Sequence, residues 1–447
     1  MNPAKSAGGE RERLLAARGL TAVLRHGRTL DQFEQSLGEP GLTPLTRELL
    51  YGSLRHYGAL RARAASLLDK PLRRKDQDVL SLLAVGIYQL LALRIPDHAA
   101  LSATVGAARK LKQPWAAGLI NACLRRLQQE PGATLTTHED DLPAALRRRL
   151  QDQYGDHSAE LMAALARRAP MSIRINQRQL TLAQAEQALN AAELPSAPSC
   201  ASAGRTLATP VAAATLPGFA EGHFAVQDAG AMLIADLIGA LRPSFGGAPR
   251  RLLDACAAPG GKLFALLEHP SCAPAFAAQD SLALALERSA PRLESLTNEA
   301  DRLGHARLPS LSVVEGDATR RDWWDSEPFD LIVIDAPCSG SGTLRRHPDL
   351  KWRNDFEALS EHTATQDAIL ANLAPLLAPD GLLLYVTCSL LREENDERVD
   401  ALLAAQPQLR SVSLTLPTGQ PTRCGWQLLP TDPQTDGFYY AAIEHLQ

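Results

Sequence analysis

The chain has 447 residues, of which 45% are hydrophobic and 21% charged, ordinary globular values and enough chain for two to four domains at ~100–200 residues each. No run of ~18 uncharged apolar residues occurs, which excludes a helical membrane span, and seven cysteines scattered without CxxC spacing argue for a reducing cytosol and against a zinc module or disulfide framework. The formal net charge of −4 conceals a division: residues 1–150 carry 23 Lys and Arg against 14 Asp and Glu, a balance of +9, which leaves −13 for the remainder.

The opening, MNPAKSAGGERERLL, is charged where a signal peptide needs its apolar segment, so a cytoplasmic protein is expected. From Glu10 to about Glu130 apolar residues recur at helical spacing, as in DVLSLLAVGIYQLLAL, and a bundle of short helices follows, with turns at Gly38–Pro44, Arg94–Asp97 and Glu130–Gly132. Its basic balance suits contact with a polyanion. Leu142–Arg168 is again helical and Arg-rich, Met171–Asn176 alternates like a strand and opens a small mixed region, and the Pro/Ala/Ser-rich passage Leu194–Ala203 reads as a loop or linker.

From Arg251 the pattern changes to short apolar runs separated mostly by helical segments: Arg251–Cys256, Leu282–Glu287, Leu311–Glu315, Phe329–Asp335 and Gly381–Thr387. Strands alternating with helices predict an α/β doubly wound parallel sheet covered on both faces, which binds ligands at the carboxyl ends of its strands. The expected domains are 1–140, helical; 141–245, a small connecting α+β region; and 246–447, the α/β domain.

The first of these strands runs into Cys256-Ala257-Ala258-Pro259-Gly260-Gly261-Lys262 and then a helix, Leu263–Glu268. Small residues let the backbone approach a ligand closely, and a helix amino end offers free N–H groups. The string is neither GxGxxG nor GxxxxGK[ST], so the fingerprints of dinucleotide and P-loop sites are not met. Asp335-Ala-Pro-Cys338 and Thr387-Cys388-Ser389 each lie just past an apolar strand, which brings two cysteines to the ligand edge. No HExxH, carboxylate-rich loop or Cys/His set is found, and no metal is expected.

LLDACAAPGGK, with GHFAVQD at Gly222–Asp228, DAPCSGSGTLRRHPDLKW from Asp335, YVTCS at Tyr385–Ser389 and DGFYYA from Asp436, resembles the RNA cytosine carbon-5 methyltransferases, in that family's order and across most of 219–442. The helical front, with IYQLL and GLINACLRRL, resembles the NusB-like RNA-binding domain of the RsmB (Sun/Fmu) subgroup, which methylates a cytidine of small-subunit ribosomal RNA. The resemblance implies S-adenosyl-L-methionine as cofactor, a methyltransferase fold, an rRNA partner and no membrane; a monomer is expected. It implies Cys388 as nucleophile, Cys338 as the residue assisting release, Asp335 holding the base, and Lys262 near the same centre. The cofactor would lie against Cys256, Ala257, Ala258, Pro259, Gly260, Gly261 and Lys262, with an acid after the second strand on its ribose, Asp317 on its adenine, and Asp335 alongside. Glu287 and Asp280 compete for the ribose, and Glu287, on the better strand, is preferred although the family carries Asp. A single Pro-Cys cysteine, as in DNA enzymes, would instead nominate Cys338. Arg345 and Arg346, just past the Cys338 loop, are candidates to meet phosphates, and Trp352 to stack or to buttress the loop, the alternative being an ordinary surface loop with a core Trp; the acidic run Glu393–Glu397 reads as helix-start electrostatics. Transfer RNA or large-subunit RNA as substrate, and a catalytically idle RNA-binding assembly factor or antitermination partner, remain the alternatives.

Overall fold

The structure, a computed structural model, describes residues 6–38, 41–130, 132–242, 251–354 and 356–446; the opening residues 1–5, the boundary expected at 245/246 and parts of the turns at Gly38–Pro44 and Glu130–Gly132 lie outside them. The chain divides into two compact units, residues 1–167 with 344–357, and 168–343 with 358–447.

The first unit is helical. Gln77–Ala92 is apolar on nearly every face and is buried from Val79 to Gln89 except Leu80, as expected of a helix enclosed by others. Leu20, Leu49 and Leu50 from Ser6–His26 and Pro44–Arg55, and Ile120 and Leu124 from Ala116–Gln128, pack into the same core. Inside it, Gln89 accepts from Arg13 Nε at 2.8 Å and donates to Thr104 Oγ1 at 3.1 Å, so three helices share one satisfied polar chain. Thr29 and Thr43 cap their helices by accepting from the N–H groups of Gln32 and Thr46. The segment 344–357 also belongs to this unit. Lys351 is buried and donates to the carbonyls of Arg55 at 2.7 Å and Asp141 at 2.5 Å. Trp352 Nε1 donates to Leu54 O, and its ring meets Tyr57 edge-on.

The second unit holds two sheets. In the smaller, strands β1 (Ser172–Ile175), β2 (Ser196–Pro198), β3 (Gly204–Leu207) and β4 (Phe224–Val226) lie antiparallel in the order β2-β3-β1-β4. Helix Leu182–Ala191 buries Ala185 and Leu189 in a core with Ile173, Ile175 and Phe224. The Pro/Ala/Ser-rich passage expected as a loop thus contains an edge strand, where proline is tolerated because its missing N–H costs no ladder bond.

The larger sheet contains β5 (Arg251–Asp254), β6 (Leu282–Glu287), β7 (Leu311–Glu315), β8 (Phe329–Asp335) and β9 (Leu377–Thr387), all parallel, in the order β9-β8-β5-β6-β7. Alternate side chains serve separate cores: Leu252, Val333 and Leu384 on one face, Leu253, Ile332 and Leu383 on the other. This is the two-sided burial that continuous apolar strands require. Order reverses at β5, which opens the crevice at its carboxyl end. Beyond β9 the sheet becomes antiparallel through β13 (Tyr439–His445), which pairs with β10 (Leu409–Val412) and β12 (Trp426–Gln427), and β12 pairs with β11 (Gln420–Pro421). The sheet is therefore mixed, with a parallel centre of the kind the strand–helix alternation predicts. Among the described residues no helix is long and apolar enough to cross a membrane.

Candidate active site

The site begins where β5 ends. Asp254 is followed by a tight turn in which Gly260, at φ 100°, caps helix Gly261–Glu268. A Cβ at Gly260 would lie 2.1 Å from Cε2 of Phe264, so both the left-handed conformation and the close packing require glycine. The helix is held from behind by a buried polar triad: Glu268 accepts from Arg174 Nε at 2.7 Å and faces His305 Nε2 at 2.9 Å, with the His305 ring stacked on Phe264. Burial pushes Glu268 up, but Arg174 and His305 outweigh it and hold the carboxyl below its usual range. His305, isolated in the sequence, is thus a structural partner.

Lys262, in the first turn of that helix, reaches across to β8 and donates to Asp335 Oδ2 at 2.6 Å. Burial lowers its affinity for a proton, but Asp335 more than offsets this, with Cys388 contributing in the same direction, so the ammonium form is favoured. Asp254 stands behind the pair. Burial, reinforced by Asp335, pushes its carboxyl up to about 7, and its Oδ1 lacks a hydrogen-bond partner.

Cys338, beyond β8, and Cys388, beyond β9, bring their sulfurs to 3.4 Å. The contact with Cys388, then burial, raises the Cys338 thiol well above its usual value, which keeps it protonated. Burial does the same to Cys256.

One cavity gathers Cys256, Glu287, Asp317, Asp335, Cys338 and Cys388 along its wall. Glu287 ends β6 almost fully buried. Its Oε1 accepts from Ser289 N–H, while Oε2 makes no hydrogen bond, the Arg292 guanidinium lying 3.3 Å away without the required alignment. Asp280 is exposed before the strand and does not line the cavity. Asp317 turns Oδ1 onto Thr319, accepting from its N–H and Oγ1 at 2.8 Å each, and these bonds hold the carboxyl below its ordinary range. The rest of the glycine turn is placed differently. Ala257 and Ala258 are buried, and Pro259 and Gly261 line a second hollow with Gln227 and Arg302. Arg292, five positions past Glu287 and bonded to the Ala258 carbonyl, joins the first cavity unforeseen, as do Arg288, Thr319 and Thr365.

Two expectations are corrected. Arg345 is 2% exposed, its carbonyl accepting from Arg55 inside the first unit, and is not a phosphate-facing cation; Trp352 packs against the same core, as the alternative reading of that residue has it. The run Glu393–Glu397 divides, because the helix starts only at Asp396 and Glu394 is fully buried. Among the described residues, no group of three or more His, Cys, Asp or Glu is arranged to hold a metal ion.

Comparison with known proteins supplies the lineage. Residues 244–444 match the family described as 16S rRNA methyltransferase RsmB/F, residues 10–129 the NusB family, and residues 142–214 the RsmF/B-like ferredoxin-like domain. Ribosomal RNA small subunit methyltransferase B of Pseudomonas syringae is 38% identical over 446 residues, covering 96% of each chain; that of Xanthomonas campestris is 36% identical, covering 98% of each. Among solved structures, the fold is similar to the crystal structure of PH0851, with a TM-score of 0.76 at 21% identity over 96% of this chain and 98% of that one. It is also similar to NSun6 from Pyrococcus horikoshii with SFG, at 0.58 and 17% over 68% and 98%. With that identity sustained from end to end, the chain belongs to the RsmB/F family of S-adenosylmethionine-dependent rRNA methyltransferases.

Proposed function

We propose that the protein methylates carbon-5 of a cytidine in small-subunit ribosomal RNA through a transient bond between Cys388 and carbon-6. The observation that carries this reading is the pair of thiols 3.4 Å apart on the wall of a cavity that also holds Asp335, itself bonded to Lys262.

S-adenosylmethionine supplies an electrophilic methyl group on a sulfonium. Glu287 fits it: a buried carboxylate oxygen without a hydrogen bond is costly unless something donates to it, and two ribose hydroxyls would. Asp317 would accept from the adenine amino group, and the wall at Cys256 would border the nucleoside.

Carbon-5 of cytosine is a poor nucleophile because the ring is aromatic and electron-poor. The Cys388 thiolate adds to carbon-6, which breaks the aromaticity and makes carbon-5 enamine-like, able to take the methyl group. Asp335, one oxygen held by Lys262, accepts from the exocyclic amino group and keeps the ring in place while charge builds on it. A base must then remove the carbon-5 proton so that carbon-6 releases sulfur. Cys338 stands beside that bond and assists the release. The base must be unpaired or extruded to present carbon-6 to a thiol.

Incubation with tritiated S-adenosylmethionine and bare small-subunit RNA is expected to label carbon-5 of cytidine. Label confined to transfer RNA or large-subunit RNA would overturn the substrate assignment.

A further inference from the structure

Glu394 belongs to an acidic run whose charge alone suggests a helix start, yet its side chain is fully buried in the turn Arg392–Glu394. Burying a carboxylate is expensive unless it is well bonded, and this one is. Oε1 accepts from Ser339 N–H at 2.8 Å and from Gln366 Nε2 at 3.4 Å. Oε2 accepts from Ser339 Oγ at 2.6 Å and from Ser389 Oγ. The two serines are the residues that directly follow Cys338 and Cys388. One carboxylate therefore ties together the loops that carry the two thiols.

The hub is itself fixed. Tyr385 Oη, from β9, donates to the Glu394 carbonyl at 2.7 Å, and Asn395 receives Thr387 Oγ1 at 2.6 Å while donating to Ser389 O at 3.0 Å. Gln366 also donates to Pro337 O at 2.9 Å, on the other side of Cys338. Bonds to a carboxylate in such a dry setting are among the stronger ones, and a network of this kind is rigid only while every member is satisfied.

We propose that Glu394 is a positioning residue for methyl transfer, clamping the Ser339 and Ser389 loops so that the sulfurs of Cys338 and Cys388 stay in contact. Its consequence for catalysis rests on the reading of those cysteines as release residue and nucleophile; its geometric content does not.

The test uses the full chain and reads thiol proximity separately from methylation. Diamide takes one hydrogen from each of two thiols and leaves a disulfide, so the rate at which Cys338 and Cys388 join, followed by peptide mass mapping, reports how well the loops are held. Glu394→Gln preserves size and one acceptor oxygen but turns two donor-facing positions into a clash of donors unless the serine hydroxyls rotate. In that variant the disulfide is expected to form about tenfold more slowly or worse, the order of effect of losing one bond to a charged group. Cofactor affinity should stay within about twofold, and kcat should fall while KM for RNA is held, the split expected when the thiols are displaced and the RNA contacts are not. Glu394→Ala, if it folds, should exceed both effects; the Gln variant decides if it does not. Disulfide formation at the wild-type rate in folded Glu394→Gln overturns the clamp, and slowed formation with unchanged kcat overturns its catalytic role. Slowed formation in a protein whose wild type methylates no RNA leaves the clamp standing and removes the proposed function instead.

Discussion

Cys388 and Cys338 lie in contact yet carry opposite expectations. With Cys388 as the proposed nucleophile, Cys388→Ala removes the bond to carbon-6 and should abolish both methyl transfer and any covalent protein–RNA species. Replacing Cys338, the residue proposed to assist release, leaves the bond free to form and slow to break. Cys338→Ala should therefore accumulate a protein–RNA adduct on a denaturing gel, and an adduct in Cys388→Ala but not in Cys338→Ala would exchange the two roles. Glu287 offers a second test. Its unbonded buried oxygen predicts that Glu287→Ala weakens cofactor binding by about 1–3 kcal/mol, roughly fivefold to 150-fold, while the exposed Asp280→Ala changes it little; calorimetry that found the reverse would move the ribose contact to Asp280. Strand-end residues such as these can be picked out of the sequence because an apolar run announces where the chain emerges at the ligand edge. Glu394 could not, since REENDER looks the same whether its acids are solvated or one is folded inward against two serines that lie 55 and 5 positions away.

At the scale of elements, the five parallel strands were legible from their apolar runs, which two-sided burial demands at the centre of the sheet. The antiparallel additions were not: β11 and β12 are two residues each, too short to show a period. Nor does the segment 344–357 advertise its place, because a Lys beside a Trp reads as surface. In the first unit Lys351 is buried instead, which lowers it to about 7 despite the opposing pull of Asp141 and with the support of Arg55. Two carbonyls accept from it, a number that the neutral amine can satisfy. Between about pH 7 and the unfolded value near 10.4 the unfolded chain holds a proton that the folded one has lost, so this group's contribution to stability rises with pH across that window and is lost as pH falls toward 7. The urea midpoint of the wild type should accordingly gain more between pH 7 and pH 9 than that of Lys351→Met, which has nothing to titrate. Equal gains would mean that Lys351 is charged in the folded protein.

For the molecule as a whole, the segregated charge makes a prediction of its own. With +9 over residues 1–150 and −13 over the rest, attraction to a phosphate backbone should come from the leading portion, and repulsion from the remainder should restrict nonspecific binding there. Arg74 and Lys75 are exposed and adjoin exposed Arg73 in the turn before helix Gln77–Ala92. Each cation that neutralises a phosphate releases a condensed counterion, so the slope of log affinity against log salt counts such contacts at roughly 0.7–0.9 per phosphate. If both residues meet RNA, the double variant Arg74→Glu with Lys75→Glu should bind small-subunit RNA more weakly at low salt. Its slope should be shallower by about 1.4–1.8, while cofactor affinity, proposed to depend on the second unit's cavity, stays as it was. Binding is measured from about 50 to 200 mM salt, the range over which counterion release is well resolved, and the variant's urea unfolding beside it excludes a folding defect of the first unit, on which cofactor affinity does not report. An unchanged slope would place the RNA contact elsewhere than this turn, and it would leave the positive balance of the leading third without the role that its sign suggests.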